Sequence, residues 1–350
     1  MSFISSPPSS LCILRLSAIG DVTHVLPSVN CIKKQWPECK ITWIIGKLEY
    51  QLVGDIPDIE FIIYDKSEGR KANKTLKEML KNRKFDVLLH MQISLRASLA
   101  SRHIKARHKI GFDFKRARNF QWLFTNKKIP YIAKQHVLDS FLEFPKLLGL
   151  KTDSIEWNIP VPDNDKIFIE NAITANTFVV INPSASNTIR NWGADHYATI
   201  IDYLFERYNL QTVLSGGPME SEIELSNAIS EESLNKPTVL TGKTTLKQLA
   251  ALLQQAQFVI APDTGPAHIA NAVATDVIGL YANSNPYRTG PYSSLKNTVN
   301  KYPEALKNTY NKSVKQVRWG RRVRRDDIME FINVDDVIEK IDNLMKKQKP

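Results

Sequence analysis

The sequence predicts an α/β protein of two successive doubly wound domains, their parallel sheets facing a shared cleft. Three observations predict it. The chain has 350 residues, about two domains at roughly 150 residues each. Short apolar runs alternate with longer amphipathic stretches, the βαβ rhythm of a parallel sheet buried between helices. That rhythm halts at a Pro-, Asn- and Asp-rich stretch, NIPVPDND (residues 158–165), and then restarts.

Taken in order, residues 1–10 (MSFISSPPSS) hold no Lys, Arg or apolar run and read as a disordered leader. Residues 11–16 (LCILRL) are the first strand. A helix follows over residues 22–35, with Leu26, Val29 and Ile32 on one face and a stop before Pro37. Residues 41–45, 61–64, 87–90 and 109–111 read as further strands, which makes 11–160 the first domain. Residues 161–175 read as the linker. The second domain, 176–330, has strands at 178–182, 211–214, 238–240, 258–261 and 277–281. Its helices are expected at 194–208, 221–228, 245–254 and 266–274, and a C-terminal helix fills 331–350.

Hydrophobic residues make up 43% of the chain and charged residues 24%, ordinary for a soluble fold, which excludes a collagen-like or polytopic membrane sequence. The net charge is +11. Residues 66–134 hold 19 Lys/Arg against 4 Asp/Glu, so this one stretch carries the whole excess. Such a segment points to an anionic partner: nucleic acid, an acidic membrane surface or a phosphorylated substrate. Cys12, Cys31 and Cys39 form no metal or CxxC spacing and read as free thiols of a reducing cytosol.

In open α/β sheets ligands sit beyond the carboxyl ends of the strands, so chemistry is expected at the strand-to-helix turns. After the first strand comes Ser17-Ala18-Ile19-Gly20-Asp21. Asp21 there is a helix cap or a general base on a hydroxyl, and Gly20 lets a ligand approach the backbone. Pro183-Ser184-Ala185-Ser186-Asn187 offers small residues and hydroxyls to a phosphate, and Arg190 adds a fixed positive charge. Asp263-Thr264-Gly265-Pro266 opens a helix whose positive end favours an anion, with His268 one turn in. Gly216-Gly217 with Glu220 and Glu222 offers a carboxylate to a sugar hydroxyl, or only solvated acids at a helix start. Trp192 reads as packing. Asp163 and Asp165 mimic a DxD metal motif but read as solvated loop, and Arg318, Arg321, Arg322, Arg324 and Arg325 form a basic run beside Asp326 and Asp327. No metal site and no cofactor is expected.

The order of these turns carries more than any one of them. ILRLSAIGDVTHVLPSV (13–29), INPSASNTIRNW (181–192), LTGKTTLKQLAALLQQAQFVIAPDTGPAHIANAV (240–273) and NPYRTGPY (285–292) together resemble glycosyltransferase family 9, the bacterial ADP-heptose:lipopolysaccharide heptosyltransferases. The resemblance spans residues 11–345. It implies two Rossmann-like domains in the glycosyltransferase B arrangement and inverting, metal-independent transfer of a sugar. Asp21 is implied as the catalytic base. Ser184, Ser186, Arg190 (often Lys in the family), Gly217, Glu220 or Glu222, Asp263, Thr264, Gly265 and His268 are implied on the donor side. Gly20, Arg96, Lys115, Arg116, Arg118 and His136 are implied on the acceptor side. The implied partners are a nucleotide-diphosphate sugar, expected as ADP-heptose, an acidic Kdo-lipid A glycolipid and the anionic inner-membrane surface. The implied place is the cytoplasm, peripheral to that membrane. A different sugar or nucleotide is the alternative within enzymes. A basic nucleic-acid-binding protein is the alternative outside them, and it lacks a reader motif.

Overall fold

The computed structural model describes residue 4 and residues 6–348. The chain divides into two compact units, Met1–Pro160 and Val161–Pro350. The first holds a six-stranded parallel sheet in the order β3-β2-β1-β4-β5-β6. Its strands are β1 (Ser10–Leu14), β2 (Lys40–Gly46), β3 (Ile59–Tyr64), β4 (Phe85–His90), β5 (Ala106–Gly111) and β6 (Lys127–Lys128). Helices α1 (Ile19–Gln35), α2 (Lys47–Val53), α3 (Arg70–Met79), α4 (Leu95–Ser101) and α5 (Val137–Leu147) accompany it.

The second sheet runs β12-β11-β10-β7-β8-β9. Its strands are β7 (Phe178–Ile181), β8 (Gln211–Leu214), β9 (Thr238–Val239), β10 (Val259–Pro262), β11 (Val277–Tyr281) and β12 (Val299–Asn300). The helices are α6 (Asp163–Ala172), α7 (Ala194–Tyr208), α8 (Glu220–Glu232), α9 (Leu246–Gln255), α10 (Gly265–Ala272), α11 (Pro286–Thr289), α12 (Tyr302–Tyr310) and α13 (Val334–Gln348). Counted from its own first strand, each sheet has the order 3-2-1-4-5-6. The order reverses between β1 and β4 in one unit and between β7 and β10 in the other. Ligand crevices form at such switch points.

The apolar runs become strands because both faces of a parallel sheet must be covered. Leu11 lies level with Ile41 on one side and Val87 on the other. All three are buried. In α1, Val22, Val25, Leu26, Val29 and Ile32 recur every three or four residues, and each is 0% exposed. Each contributes about 1.5–3 kcal/mol by burial. A full capping box between Thr245 and Gln248 starts α9.

Two expectations need correction. Ser10, read as leader, opens β1, and Ser9 beside it is tied to β4: both backbone N–H groups donate to the Asp86 carboxylate, at 2.8 and 3.0 Å. Residues 1–3 and 5 of that leader lie outside the described residues. The stretch 161–175, read as linker, contains α6, with Pro162 as its N-cap and Asp163 and Asp165 in its first turn. Acids there face the positive end of the helix, so one set of residues signals both a linker and a helix start. The C-terminal helix α13 is part of the second core: Val337, Ile341 and Leu344 are buried in it. Its Asp342 accepts hydrogen bonds from Tyr203 (2.6 Å) and Tyr208 (2.8 Å) of α7.

Candidate active site

At the first switch point, the chain leaves β1 and enters α1 with Asp21 in the helix's first turn. Asp21 is ion-paired with Arg15, whose side chain is 8% exposed against 41% for the carboxylate. Arg15 is held in turn: it donates to the Met91 carbonyl at 2.7 Å and lies 5.3 Å from the centre of the Phe141 ring. Gln92, just beyond β4, accepts from the Leu16 N–H (2.6 Å) and donates to the Ser17 hydroxyl (3.2 Å). The ends of β1 and β4 are thus stapled beneath Asp21. Gly20 accepts from the Thr23 hydroxyl at 2.7 Å within the same turn. A buried cation fixes the carboxylate while its outer edge meets solvent, a geometry that suits a base with one defined direction of attack.

The basic residues expected on the acceptor side divide. Arg96, Lys115 and Arg118 are exposed. Lys115 lies 4.4 Å from the centre of the Tyr131 ring. Arg116 is committed to the fold, pairing with Asp113 and donating to Gln135 (3.1 Å) and the Pro130 carbonyl (2.6 Å). His136 is buried; its Nδ1 caps α5 by accepting from the Leu138 N–H (3.1 Å), and its ring meets His24 edge-on. Among the described residues no hydrogen bond or ion pair joins Arg96, Lys115 or Arg118 to Asp21.

The second switch point is denser. The turn after β7 carries Ser184 and Ser186 into a short 3-10 helix, Thr188–Arg190. The turn after β10 carries Asp263 to Thr264, the N-cap of α10. Arg190 joins them, donating to the Asp263 carbonyl and, at 3.2 Å, to the Ser186 hydroxyl. Its guanidinium lies 3.6 Å from the Asp263 carboxylate. That carboxylate also accepts from the Ser284 hydroxyl at 2.8 Å and lies 3.8 Å from His268 Nε2. Burial would raise the Asp263 pKa, but the bonds from His268 and Ser284 and the Arg190 charge hold it below the usual carboxylate range. Burial, and then the nearby Asp263 carboxylate, push the Tyr281 hydroxyl well above its ordinary value.

Thr264's own hydroxyl accepts the Ala267 N–H, and Pro266 has no N–H to give. The N–H groups of Thr264 and Gly265 are the ones in that first turn that the cap does not use. Six buried polar atoms on the segments that follow β7 and β11 have no hydrogen-bond partner among the described residues: Asn182 Oδ1, Ser184 Oγ, Arg190 Nε, Asn283 Oδ1, Asn285 Nδ2 and Thr289 Oγ1. Buried polar groups are nearly always satisfied, and a cluster of exceptions marks a place for a polar ligand.

After β8, Glu222 accepts the Gly217 N–H at 2.6 Å and so shapes its own loop, while Glu220 is exposed. A Cβ at Gly216 would meet Thr241 at 2.9 Å and the Glu222 carboxylate at 3.1 Å, which is why glycine stands there. Trp192 is core, donating to the Ile332 carbonyl at 2.9 Å. Asp163 pairs with Lys166 at 2.8 Å. In the basic run, Arg325 pairs with Asp327, and Arg321 lies 4.5 Å from the Tyr310 ring centre. Cys12, Cys31 and Cys39 are free and buried.

Residue-by-residue reading missed Arg15, Gln92, Tyr281 and Ser284. Arg15 left one signal: an arginine inside an apolar strand run must find a partner.

Two parallel sheets of one strand order, each with charged turns at its switch point, define an α/β protein of the glycosyltransferase B kind. The chain belongs to glycosyltransferase family 9 (heptosyltransferase), whose family model matches residues 74–317. It is a glycosyltransferase. It is 39% identical to the lipopolysaccharide core heptosyltransferase OpsX of Haemophilus influenzae, over 98% of this chain and 99% of that one. Among solved structures, a family 9 glycosyl transferase from Veillonella parvula superposes with a TM-score of 0.78 at 23% identity, covering 97% of this chain and 98% of its own. The Escherichia coli heptosyltransferase WaaC with ADP gives 0.74 at 22% identity, covering 96% and 99%. At those identities the structural likeness speaks to the fold.

Proposed function

We propose that this protein transfers heptose from ADP-heptose to the Kdo-lipid A inner core of lipopolysaccharide, inverting the anomeric centre. The observation that carries the reading is the 39% identity, over nearly the full length of both chains, to a relative named as a lipopolysaccharide core heptosyltransferase.

The residues support a division of labour. Asp21, steered by Arg15, takes the proton from the acceptor hydroxyl. That oxygen bonds to the anomeric carbon as the bond from that carbon to the diphosphate oxygen breaks. ADP leaves with the electron pair. The charge growing on its diphosphate meets Arg190, the hydroxyls of Ser184 and Ser186 and the N–H groups of Thr264 and Gly265 at the positive end of α10. Asp263 is a positioning residue: with His268 and Ser284 it fixes Arg190. Glu222 holds the Gly217 loop, and Glu220 is the exposed acid open to a ribose hydroxyl. Gly20 admits the acceptor close to the backbone. The exposed Arg96, Lys115 and Arg118, with Arg116 behind them, attract an acidic glycolipid presented at an anionic membrane surface. No helix among the described residues is long and apolar enough to cross a membrane. The reading places the enzyme in the cytoplasm, peripheral to the inner membrane.

A thermal-shift screen of ADP-, UDP- and GDP-sugars tests the donor. Selective stabilisation by ADP-sugars is expected. A response confined to UDP- or GDP-sugars would contradict the reading and favour transfer of another sugar.

A further inference from the structure

The N-terminal unit carries a surface segment with its polarity reversed. In the 3-10 helix Gln121–Phe124, the one buried residue is the polar one, Gln121. Its amide donates to the carbonyls of His90 (2.8 Å) and Gln92 (3.2 Å) and accepts from the Phe112 N–H (3.2 Å). The apolar residues around that anchor face water: Phe114 is 69% exposed, and Phe120 and Leu123 are each 62% exposed. Trp122, Tyr131 and Ile132 are exposed beside them. Phe120 holds a left-handed backbone conformation (φ 59°), uncommon for so bulky a residue.

Cations lie among these side chains. Lys128 Nζ lies 4.0 Å from the Phe114 ring centre, and Lys115 Nζ 4.4 Å from that of Tyr131. Residues 114–134 contain six Lys/Arg and no Asp or Glu. Solvation alone does not account for a large apolar group anchored outward by a buried amide.

We infer that residues 114–132 form a membrane-interface anchor that seats the N-terminal unit on anionic phospholipid. Aromatic rings lie at headgroup depth, Leu123 and Ile132 enter the acyl boundary, and Lys127 and Lys128 meet headgroup phosphates. The aliphatic members decide for lipid over single-stranded nucleic acid, because Leu and Ile offer no stacking face. The inference deepens the proposed function and rests on its membrane-bound acceptor, but the surface stands apart from the donor chemistry.

The test uses the full chain with vesicles and neither donor nor acceptor. Co-sedimentation is measured with vesicles of equimolar phosphatidylglycerol and phosphatidylcholine, and with pure phosphatidylcholine. Binding is expected only with the anionic vesicles, with a blue shift in tryptophan emission that Trp122→Phe removes. Lys127→Gln/Lys128→Gln should lower partitioning roughly ten- to thirty-fold, about five-fold per charge. Phe120→Ser/Leu123→Ser should lower it by about ten-fold or more, a loss that added salt does not mimic. Both variants should keep the wild-type melting curve and transfer to a soluble, deacylated acceptor. Wild-type protein that ignores anionic vesicles, variants that bind like wild type, binding of single-stranded RNA in place of vesicles, or self-association through Phe120 and Leu123 would each overturn the inference. Vesicle binding lost with soluble transfer intact sinks the anchor alone. Vesicle binding intact with no transfer sinks the proposed function alone.

Discussion

Asp263→Asn isolates charge from shape. Asparagine has nearly the same volume and still accepts from Ser284, so the packing of a residue only 7% exposed is unchanged. What changes is Arg190, 8% exposed, which loses its counter-ion while Arg322 still adds a like charge. Breaking a buried pair costs about 3–5 kcal/mol. Because Arg190 keeps its bond to the Asp263 backbone carbonyl, the lower end applies, about 3 kcal/mol. In a unit of about 150–250 residues each kcal/mol moves the melting temperature by about 2–4 °C, so calorimetry of the full chain should show the C-terminal unit melting about 6–12 °C lower. Adding Arg190→Met removes the orphaned cation and should restore part of that loss. The pH dependence has a definite sign. Asp263's pKa is depressed by folding, so its contribution is full above the ordinary carboxylate value of about 3.9 and fades as pH falls through the lower folded value. The gap between wild type and Asp263→Asn should therefore narrow below about pH 4. A variant melting within about 1 °C of wild type, or a gap that widens in acid, would refute the buried-pair argument.

Other predictions follow from single contacts. Arg15→Met removes the cation that fixes Asp21 and a charged bond to Met91 worth about 1.5–3 kcal/mol. Turnover should fall on the order of 100-fold with donor affinity unchanged, and Arg15→Lys should recover part of it in steady-state assays. Calorimetric titration with ADP should find Glu222→Ala several-fold weaker than wild type because the Gly217 loop loses its bond. Glu222→Gln, which keeps an acceptor oxygen, should stay close to wild type. A weak Glu222→Gln would show instead that the charge itself meets the ligand.

The strands and the turns that follow them were legible because parallel sheets demand unbroken apolar runs and the turns carry Gly, Pro and Asp at fixed offsets. Ile181 and Ile260 lie side by side in the sheet, and their following turns supply Arg190 and Asp263. That the two turns meet was not legible: Arg190 and Asp263 are 73 residues apart, and only the strand order makes them neighbours. The helix α6 was hidden because Pro162 and Asp163 punctuate linkers and helix starts alike. Arg116 and His136 show the limit of residue type as a guide. Each has the right chemistry for an acidic ligand, but local bonds to Asp113 and Leu138 turn it into the fold. The basic excess of residues 66–134 was plain in composition, whereas the apolar side chains exposed beside it depend on Gln121 being buried, which no pattern announces.

The most direct test is the transfer reaction with Asp21→Asn. Wild-type protein should move heptose from ADP-heptose to a Kdo-lipid A acceptor with inversion. The variant should still fold, with a lowered melting temperature because Arg15 loses its counter-ion, and bind ADP as wild type does, yet lose about 100- to 10,000-fold in turnover, the share a positioned base supplies. Transfer by Asp21→Asn at near wild-type rates, or a wild-type protein that transfers nothing from ADP-heptose, would contradict the account.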